Sequence, residues 1–446
     1  MSRKYFGTDG VRGRANTYPM TPDMALKLGA AVGSFFRKDQ KEHRVVIGKD
    51  TRRSSYMFEN ALASGLMSTG MDVYFLGPVP TPAVGMLTRS MRADLGVMIS
   101  ASHNEYRDNG IKFFGPDGFK LSDAVEQEIE SLIAGDIAYA DAENIGRAKR
   151  IDDGLGRYIE FAKSVFPRQK LLDGMKVVVD CANGAGYKSA PTVMWELGAD
   201  VIPIGVDPNG YNINLDCGST QPARAANAVL EHKADVGICL DGDADRVIVI
   251  DEKGQVADGD QIMGLIASEW SSAGRLAKNT LVSTVMSNMG LERYLASRDI
   301  ALHRTAVGDR YVVQAMRQGG FNLGGEQSGH IVMSDYVTTG DGLMAGLQFL
   351  NAVASSGLPA SRLASVFEPL PQMLKNVSYK KGSRPLEASA VKSAIEDGEA
   401  RLKSTGRLLI RASGTEPVIR VMGEAEDPAL LQEIIGMIAE AVEKAA

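Results

Sequence analysis

The feature that most constrains the fold is a pattern that occurs three times along the chain. A short β-branched run is followed by a turn rich in glycine or serine and then by an amphipathic stretch. The runs are RVVIGKDTR from Arg44, KVVVDCANGAG from Lys176 and TLVSTVMSNMG from Thr280. Strands that alternate with helices indicate α/β units with mixed, mostly parallel sheets, and near-continuous apolar strands such as VVIG fit burial on both faces. We therefore predict three related α/β domains.

Each of these units also contains a second apolar strand that ends in a polar loop. The segments are DLGVMISASHN at 94–104, DVGICLDGDADR at 235–246 and FNLGGEQSGH at 321–330. Ligands of open α/β sheets bind beyond the carboxyl ends of the strands. We therefore expect the three loops to face one central cleft.

The last part of the chain has a different pattern. FEPLPQ at 367–372 has the character of a linker, and a strand, turn and strand at 407–425 are followed by a long amphipathic helix that begins at Pro428. This order predicts a smaller C-terminal α+β domain. At roughly 100–200 residues per domain, a chain of 446 residues holds two to four domains. The predicted domains are residues 1–155, 156–257, 258–368 and 373–446.

Composition excludes several classes of protein. The chain has 49 Lys and Arg against 55 Asp and Glu, a formal net charge of −6, whereas a nucleic-acid binder normally carries a basic surplus. Cys181, Cys217 and Cys239 lack the spacing of a zinc site or a disulfide framework. No apolar run reaches about 18 residues and the N-terminal segment has no hydrophobic signal core. We therefore expect a cytoplasmic protein that binds neither nucleic acid nor membrane.

The most specific chemical signal is a run of alternating aspartates. Asp241, Asp243 and Asp245 directly follow the apolar run VGICL. Like charges this close are costly unless a cation lies among them, and oxygen ligands favour Mg²⁺, Mn²⁺ or Ca²⁺. An EF-hand is excluded because its sixth position holds Arg246 instead of glycine and a strand follows. We predict a Mg²⁺ site, with an acidic surface turn as the alternative.

Other polar segments have less specific chemistry. Ser100–Asn104 places serine beside histidine, but neighbours on an extended strand point in opposite directions, which argues against a hydrolase-type Ser–His pair, and the G-x-S-x-G elbow is absent. Lys112 on the following strand suits a phosphate. Glu326, Ser328 and His330 offer hydrogen bonds to sugar hydroxyls. The alternative for both loops is an ordinary polar or glycine-rich turn.

A fourth segment is suited to an anion. Arg411–Pro417 (RASGTEP) combines an arginine, two hydroxyls and a glycine, and Arg420 lies on the strand beyond. Backbone N–H groups in such a turn form an anion-binding nest, and arginine makes bidentate contacts with phosphate. Walker A and Rossmann motifs are absent, which disfavours nucleotide hydrolysis and hydride transfer. Together the four segments fit phosphoryl transfer to or from a phosphorylated sugar.

These segments resemble, in order and over essentially the whole chain, the signatures of the α-D-phosphohexomutase superfamily. The family's T/S-A-S-H-N, D-G-D-x-D-R, G-E-x-S-G-H and R-x-S-x-T-E-P patterns correspond to residues 100–104, 241–246, 325–330 and 411–417. FGTDGVRG at 6–13 and the glutamine of GEQSGH are similar to bacterial members that act on glucosamine phosphates. Relatives usually have proline where this chain has Glu105, which predicts a looser loop without loss of activity.

The resemblance implies an intramolecular phosphotransferase, an isomerase that interconverts glucosamine 6-phosphate and glucosamine 1-phosphate. A phosphoserine at Ser102 and a glucosamine 1,6-bisphosphate intermediate would carry the phosphoryl group, and the product would feed UDP-N-acetylglucosamine and peptidoglycan synthesis. One Mg²⁺ per subunit would bind to Asp241, Asp243, Asp245 and a phosphoryl oxygen on Ser102.

The resemblance also assigns the remaining site residues. The implied catalytic residues are Ser102, Arg12, Lys112 and His103. The implied sugar contacts are Arg246, Glu326, Ser328 and His330. The implied seat of the non-reacting phosphate is Arg411, Ser413, Gly414, Thr415 and Arg420. Because either phosphate of the bisphosphate must fit the same anion seat, we also expect a mobile fourth domain, and family analogy implies a homodimer. A phosphomannomutase or phosphoglucomutase, an inactive phosphosugar-binding relative and a metal-dependent phosphatase remain alternatives.

Overall fold

The computed structural model describes residues 4–7, 9–37, 42–167, 171–380, 382–413 and 417–446. The chain divides into two compact units. The first comprises the residues up to Thr284 together with His303–Val366, and the second comprises Val285–Leu302 together with Phe367–Ala446. In the part of the chain that the structure describes, no helix combines the length and the apolar character needed to cross a membrane.

The first α/β domain of the larger unit is built on a mixed sheet. Its elements are β1 (Val11–Arg14), α1 (Pro22–Phe36), β2 (His43–Lys49), α2 (Arg53–Ser68), β3 (Met71–Pro78), α3 (Thr81–Ser90), β4 (Leu95–Ile99), β5 (Asp108–Phe114), α4 (Asp123–Ala134) and β6 (Ala148–Arg150). The strand order is β1-β5-β4-β2-β3-β6. The pairs β4-β2, β2-β3 and β3-β6 are parallel, and β1 and β5 are antiparallel at one edge.

Strand β2 is covered on both faces, as the VVIG run predicts. Val45 and Ile47 lie in one core with α1 and α2, while Gly48 faces Val84 of α3 on the other side. The three residues Val45, Val46 and Ile47 are fully buried. The strand therefore has no face in water, which explains why its sequence does not alternate between apolar and polar residues.

The second domain repeats the arrangement with a smaller sheet. Its elements are α5 (Gly154–Lys163), β7 (Lys176–Asp180), α6 (Ser189–Glu196), β8 (Asp200–Ile204), α7 (Ala223–His232), β9 (Val236–Leu240), β10 (Val247–Asp251) and β11 (Val256–Ala257). The order is β11-β10-β9-β7-β8. Strands β8, β7 and β9 are parallel, and β10 returns antiparallel to β9 in register Val247 to Leu240. The segment at 241–246 is therefore the connection of a hairpin.

The third domain is built on a sheet of four short strands. Its region contains α8 (Gly259–Ser272), β12 (Thr280–Thr284), α9 (Met289–Ala296), β13 (Ala301–Thr305), α10 (Asp309–Gly319), β14 (Leu323–Gly325), β15 (Ile331–Met333), α11 (Gly342–Ser356) and α12 (Ala360–Leu363). The sheet order is β13-β12-β14-β15, with β12 and β14 parallel and β15 antiparallel to β14. Short 3₁₀ turns lie at Ala142–Asn144, Ala277–Asn279 and Pro385–Glu387.

The second unit is the smaller α+β domain expected at the C-terminus. It contains β16 (Gln372–Ser378), α13 (Ser389–Leu402), β17 (Gly406–Ala412), β18 (Val418–Ala425) and α14 (Pro428–Ala445), with the antiparallel order β16-β18-β17. Pro428 is in the first turn of α14, as predicted. Strand β16 was not predicted, because Val377 is its one buried residue and its sequence does not alternate.

Helix α9 also belongs to the second unit. The backbone N–H of Met289 donates to the Glu424 carboxylate at 2.8 Å, and Leu370 N donates to the Asn288 side chain at 2.9 Å. The α/β fold with a smaller C-terminal domain is confirmed. The boundaries chosen from the sequence stay a prediction.

Helices α1 and α2 approach each other through glycine. A Cβ atom added to Gly65 would collide with the carbonyl oxygen of Leu26 and lie 2.7 Å from the nitrogen of Ala30. The reverse also holds, because a Cβ on Gly29 would collide with the carbonyl oxygen of Leu62. These obstacles are backbone atoms, which cannot rotate away as the end of a side chain would. The short distance between the two helices therefore requires glycine at both positions.

We predict that Gly65→Ala lowers the free energy of unfolding by roughly 1–3 kcal/mol, because the helices must separate to admit the methyl group. Urea unfolding followed by circular dichroism measures this. Gly156→Ala in helix α5 is the control, since among the described residues nothing lies within 4 Å of its added Cβ, and it should be neutral or stabilising by up to about 1 kcal/mol. Equal stability of the two variants would contradict the packing argument.

Candidate active site

Three of the polar loops predicted from the sequence lie together in the first unit. Residues 100–104 follow β4, residues 241–246 join β9 to β10, and residues 326–330 join β14 to β15. A Cβ on Gly242 would be 2.6 Å from the carbonyl oxygen of Ser102, and Arg246 forms an isolated antiparallel bridge with His330. The middle loop therefore touches both of the others.

Ser102 occupies a turn in which its side chain points at the aspartates. Its φ is 51°, in the left-handed region, and its N–H donates to the Ser100 hydroxyl at 2.9 Å. Its Oγ donates to Asp241 Oδ2 at 2.5 Å and lies 3.4 Å from His103 Nδ1. The expectation that serine and histidine point apart is wrong, because the chain at Ser102 is a turn and not an extended strand.

The three aspartates form one buried cluster. One carboxylate oxygen from each of Asp241, Asp243 and Asp245 lies within 4.8 Å of the others, and the three side chains are buried. The short hairpin connection makes this possible, because Ala244 adopts a left-handed conformation with φ 58°. A surface turn, the alternative considered for these aspartates, is excluded by their burial.

Lys112 is the main positive group that faces this cluster. Its Nζ lies 2.8 Å from Asp243 Oδ2 and 3.4 Å from Asp245 Oδ2. Burial alone lowers the pKa of Lys112, but Asp243, Asp9 and Asp245 raise it well above the ordinary value, so the ammonium stays charged. Thr81, at the start of α3, donates its hydroxyl to Asp243 Oδ2 at 2.6 Å. Thr81 was not predicted, since a Pro-Thr-Pro sequence gives no sign of this contact.

The cluster still has more negative charge than its neighbours neutralise. Burial, reinforced by Asp245 and Asp243, raises the pKa of Asp241 to about 8. Within the described ranges, Oδ1 of Asp243 and Oδ1 of Asp245 are buried without a hydrogen-bond partner. Buried carboxylate oxygens normally have partners, and hard oxygen donors suit Mg²⁺. The residues present therefore fit a divalent cation.

Arg12 belongs to a second set of charges beside the cluster. Its guanidinium pairs with Asp9, and Lys120 Nζ lies 2.5 Å from Asp9 Oδ1 and pairs with Asp309 as well. Although burial raises the pKa of Asp9, Lys112, Lys120 and Arg12 hold it well below its usual range. Sequence reasoning assigned no role to Asp9, Lys120 or Asp309, because they meet only in the folded chain.

His103 and Arg246 lie close to Ser102 and the aspartates. Burial, followed by Arg246 and Arg12, lowers the pKa of His103 to about 4, so its imidazole is neutral at pH 7. The backbone N–H of Arg246 donates to Asp241 Oδ1 at 3.2 Å, and its side-chain Nε lies 3.9 Å from Asp245 Oδ1. Arg246 therefore supports the aspartate loop through both its backbone and its charge.

The residues of the GEQSGH motif at 325–330 have different surroundings. Glu326 accepts from the backbone N–H of Gly308 at 3.0 Å, and Ser328 is exposed. His330 is buried, with Nδ1 3.5 Å from Asp245 Oδ2 and Nε2 3.6 Å from Asp309 Oδ2. Burial lowers the pKa of His330, but Asp245 raises it to a net value above the ordinary one. His330 is thus tied to the aspartate cluster, which its motif did not indicate.

The segment predicted to bind an anion lies in the second unit. Arg411 on β17 and Arg420 on β18 are directly opposite in register, and the Ser413 N–H donates to the carbonyl of Val418 at 2.7 Å. Burial and the charge of Arg420 lower the pKa of Arg411. Like charges opposite each other on neighbouring strands are unfavourable, and a bound anion relieves this. Gly414 and Thr415 lie outside the described residues.

Comparison with known proteins gives matches along the whole chain. Models of the phosphoglucomutase/phosphomannomutase family match in order: alpha/beta/alpha domain I at residues 3–140, domain II at 156–254, domain III at 258–370 and the C-terminal domain at 374–441. Phosphoglucosamine mutase from Paracoccus denitrificans (strain Pd 1222) is 67% identical and covers 100% of both chains. The protein of that name from Ruegeria sp. (strain TM1040) is 67% identical over 99% of both chains.

Solved structures with low sequence identity share the fold. A phosphoglucomutase/phosphomannomutase family protein from Burkholderia thailandensis has a TM-score of 0.81 at 24% identity, covering 100% of this chain and 98% of that chain. Aspergillus fumigatus N-acetylphosphoglucosamine mutase, solved with GlcNAc-6P and magnesium, has a TM-score of 0.67 at 19% identity. The match covers 100% of this chain and 96% of that chain.

The resemblance inferred from the four motifs is thus confirmed by matches that do not depend on them alone. Family models cover each of the regions from domain I to the C-terminal domain, and two-thirds of the residues are identical to full-length relatives. The chain therefore belongs to the phosphoglucosamine mutase family of isomerases, within the α-D-phosphohexomutase superfamily.

Proposed function

We propose that the protein interconverts glucosamine 6-phosphate and glucosamine 1-phosphate, with Ser102 as the carrier of the phosphoryl group. The observation that carries this proposal is the position of the Ser102 hydroxyl, 2.5 Å from Asp241 in a buried cluster of three carboxylates. The two-thirds identity to full-length phosphoglucosamine mutases supports the choice of sugar.

Asp241, Asp243 and Asp245 would hold one Mg²⁺, together with a phosphoryl oxygen on Ser102. The buried Oδ1 atoms of Asp243 and Asp245, which lack hydrogen-bond partners within the described residues, support this assignment. When bound, the cation would neutralise charge on the phosphoryl group and make its phosphorus more electrophilic. The Lys112 ammonium lies beside the same carboxylates and adds a fixed positive charge to the site.

The reaction would take place in two mirror-image transfers. In the first, the bond from phosphorus to Ser102 Oγ breaks while a bond to O1 of glucosamine 6-phosphate forms. The sugar hydroxyl gives up its proton and the serine oxygen takes one up, so no proton is gained or lost overall. In the second, the 6-phosphoryl group of the 1,6-bisphosphate passes to Ser102 by the reverse exchange. Glucosamine 1-phosphate is released and the phosphoserine is restored.

Charged groups around Ser102 would steady the transferring group. Arg12 and Lys112 share Asp9 as a counter-ion, which fixes both cations on the side of the aspartate cluster. Neutral His103, whose Nδ1 lies 3.4 Å from Ser102 Oγ, offers a lone pair or a hydrogen bond without adding charge. Fixed charges of this kind stabilise the phosphoryl group without reorganising during the reaction.

Other residues would bind the rest of the substrate. Glu326, Ser328, His330 and Arg246 are the proposed contacts of the sugar. The proposed seat of the phosphate that is not reacting is Arg411, Ser413, Gly414, Thr415 and Arg420. The opposed guanidinium groups of Arg411 and Arg420 support this role. Because the two phosphates of the intermediate exchange roles, the bisphosphate must turn around between the two transfers.

The product has a chemical use that suits a bacterial metabolic enzyme. Glucosamine 1-phosphate, once acetylated and joined to a nucleotide, gives UDP-N-acetylglucosamine, the sugar donor of peptidoglycan. We place this reaction in the cytoplasm, where sugar phosphates and nucleotides are made. A homodimer stays a prediction from family analogy.

Ser102→Ala should abolish the phosphoenzyme and lower kcat by at least about 10³-fold, because no other group replaces the carrier oxygen. Intact-protein mass spectrometry and peptide mapping after incubation with glucosamine 1,6-bisphosphate detect the phosphoenzyme. A coupled assay measures kcat. Ser64→Ala is the control, since Ser64 is exposed on helix α2. A fully active Ser102→Ala protein would refute the proposed carrier.

The sugar is tested by comparing kcat/KM for the 6-phosphates of glucosamine, glucose and mannose. We expect glucosamine 6-phosphate to be preferred at least about tenfold, which requires about 1.4 kcal/mol of differential transition-state binding. A preference for glucose or mannose would overturn the sugar assignment. Net release of inorganic phosphate as the main product would instead indicate a phosphatase.

Asp243→Asn should weaken binding of a divalent cation at least about tenfold, because one charged ligand of a hard cation becomes neutral. Electron paramagnetic resonance of Mn²⁺ counts the free ion, so the measurement does not rely on activity. Asp207→Asn, an exposed change in the same domain, should leave the affinity unchanged. Equal affinity in the two variants would show that the cation, if it binds, uses other ligands.

A further inference from the structure

We propose that Arg52 and Asn214 are positioning residues for Ser102. They hold the backbone of residues 100–104, here named the serine loop, in the turn that presents the Ser102 hydroxyl to Asp241. The inference rests on the proposed role of Ser102 as carrier. It concerns residues that the sequence motifs did not single out and that contact the loop through its main chain.

Arg52 is a buried cation directed at the carbonyl groups of the serine loop. Its side chain is fully buried. One terminal nitrogen, Nη2, donates to the carbonyl oxygen of Ser102 at 3.1 Å and to that of Asn104 at 2.5 Å. The other, Nη1, lies 3.4 Å from the Ser100 hydroxyl and pairs with the carboxylate of Asp50. A single guanidinium therefore contacts three residues of the five-residue loop.

Asp50 keeps this guanidinium in place. Its Oδ1 accepts from the backbone N–H of Arg52 and from the Ser55 hydroxyl, both at 2.9 Å. Its own N–H donates to the carbonyl of Ile99 at 3.0 Å, directly before the serine loop. Through Asp50, Arg52 is thus anchored to the end of β4, the strand that leads into the serine loop. The guanidinium group therefore has little freedom to move.

Asn214 reaches the same two carbonyl groups from the second domain. It lies between β8 and α7, and its Nδ2 is 2.9 Å from the carbonyl oxygen of Ser102 and 2.9 Å from that of Asn104. Both partners are acceptors, so the amide nitrogen, and not the oxygen, must face them. Two donors from different domains therefore converge on one pair of carbonyl oxygens.

This convergence explains how a strained turn is maintained. Ser102 has φ 51°, a conformation that residues with a Cβ rarely adopt, and the turn directs two carbonyl dipoles at one point. Those dipoles repel unless donors lie between them. Among the described residues, Arg52 and Asn214 contact Ser102 through its carbonyl oxygen, so both act on the serine through its backbone.

The same contacts replace the stiffening that a proline would give. Glu105 follows Asn104 directly, and its exposed carboxylate pairs with Arg107 at 2.7 Å. The carbonyl of Asn104 is nevertheless fixed by Arg52 and Asn214. The loosening of the loop expected from Glu105 is therefore offset by hydrogen bonds one residue before it.

These contacts should affect the rate of phosphoryl transfer and not the affinity for the substrate. The serine must present the same geometry in both transfers while the bisphosphate turns around between them. Loss of a donor should slow phosphoryl transfer, because the hydroxyl or its phosphate is held less well relative to the aspartates. It should not change the affinity for the sugar phosphate, whose proposed contacts lie on other loops.

The test uses Asn214→Gly, because glycine tolerates the left-handed backbone of Asn214, φ 58°, while the side chain that carries the amide donor is removed. The control is Asn212→Ala on the same loop. This change removes the hydrogen bond that the Asn212 side-chain amide donates to the carbonyl of Asp207, and it removes none to the serine loop. Each full-length protein is loaded with ³²P from labelled glucosamine 1,6-bisphosphate. Transfer to glucosamine 6-phosphate is then followed in a single turnover, and sugar-phosphate affinity is measured by calorimetry in a Ser102→Ala background.

We expect the transfer rate constant of Asn214→Gly to fall at least fivefold below that of the control, with the dissociation constant within twofold. A smaller fall, or a matching loss of affinity, overturns the inference. If Asn214→Gly does not fold, Asn214→Asp, of the same shape and without the donor, is held to the same criterion. Wild-type protein that takes no label at Ser102 would overturn the proposed function as well, whereas labelled wild type with an unimpaired variant overturns only this inference.

Discussion

Burial of three carboxylates in one hairpin connection is the constraint on which the rest of the site depends. Separating such charges from water costs several kcal/mol each unless they are paired, and the surrounding chain is arranged to reduce that cost. Lys112 supplies a buried positive charge, and Thr81 and the backbone of Arg246 supply donors. The carboxylate oxygens left over are those that a divalent cation could bind.

Charge compensation also connects the α/β domains of the first unit. Asp9, Lys120 and Asp309 form a chain of alternating charge, and His330 joins Asp309 to Asp245. Arg310 pairs with Glu126 at 2.7 Å and Asn214 bonds to the serine loop. The pairs that cross from one domain to another are Lys120 with Asp309, His330 with Asp245, Arg310 with Glu126, and Asn214 with Ser102. The positions of the loops are thus fixed by polar contacts whose removal would be felt at Ser102.

The sequence predicted those features that are local. The aspartates alternate directly after an apolar strand, and the strands themselves are marked by runs such as VVIG, so both could be found without a structure. Strand β16 could not, because an edge strand with one buried residue carries almost no apolar pattern. The orientation of Ser102 relative to His103 depends on one positive φ, which the residue type does not reveal. Lys120 and Asp309, like Arg52 and Asn104, meet only through tertiary contacts, and a single sequence contains no sign of such pairs. The roles of the site residues and the domain boundaries stay predictions.

We propose that a divalent cation and the phosphorylated oxygen of Ser102 share one buried site. Anomalous diffraction at the manganese edge, on crystals of the phosphorylated protein grown with Mn²⁺, tests this most directly. We expect a single strong anomalous peak in contact with Asp241, Asp243, Asp245 and the phosphoryl group on Ser102. A peak bound elsewhere, with these three carboxylates holding no ion, would contradict it.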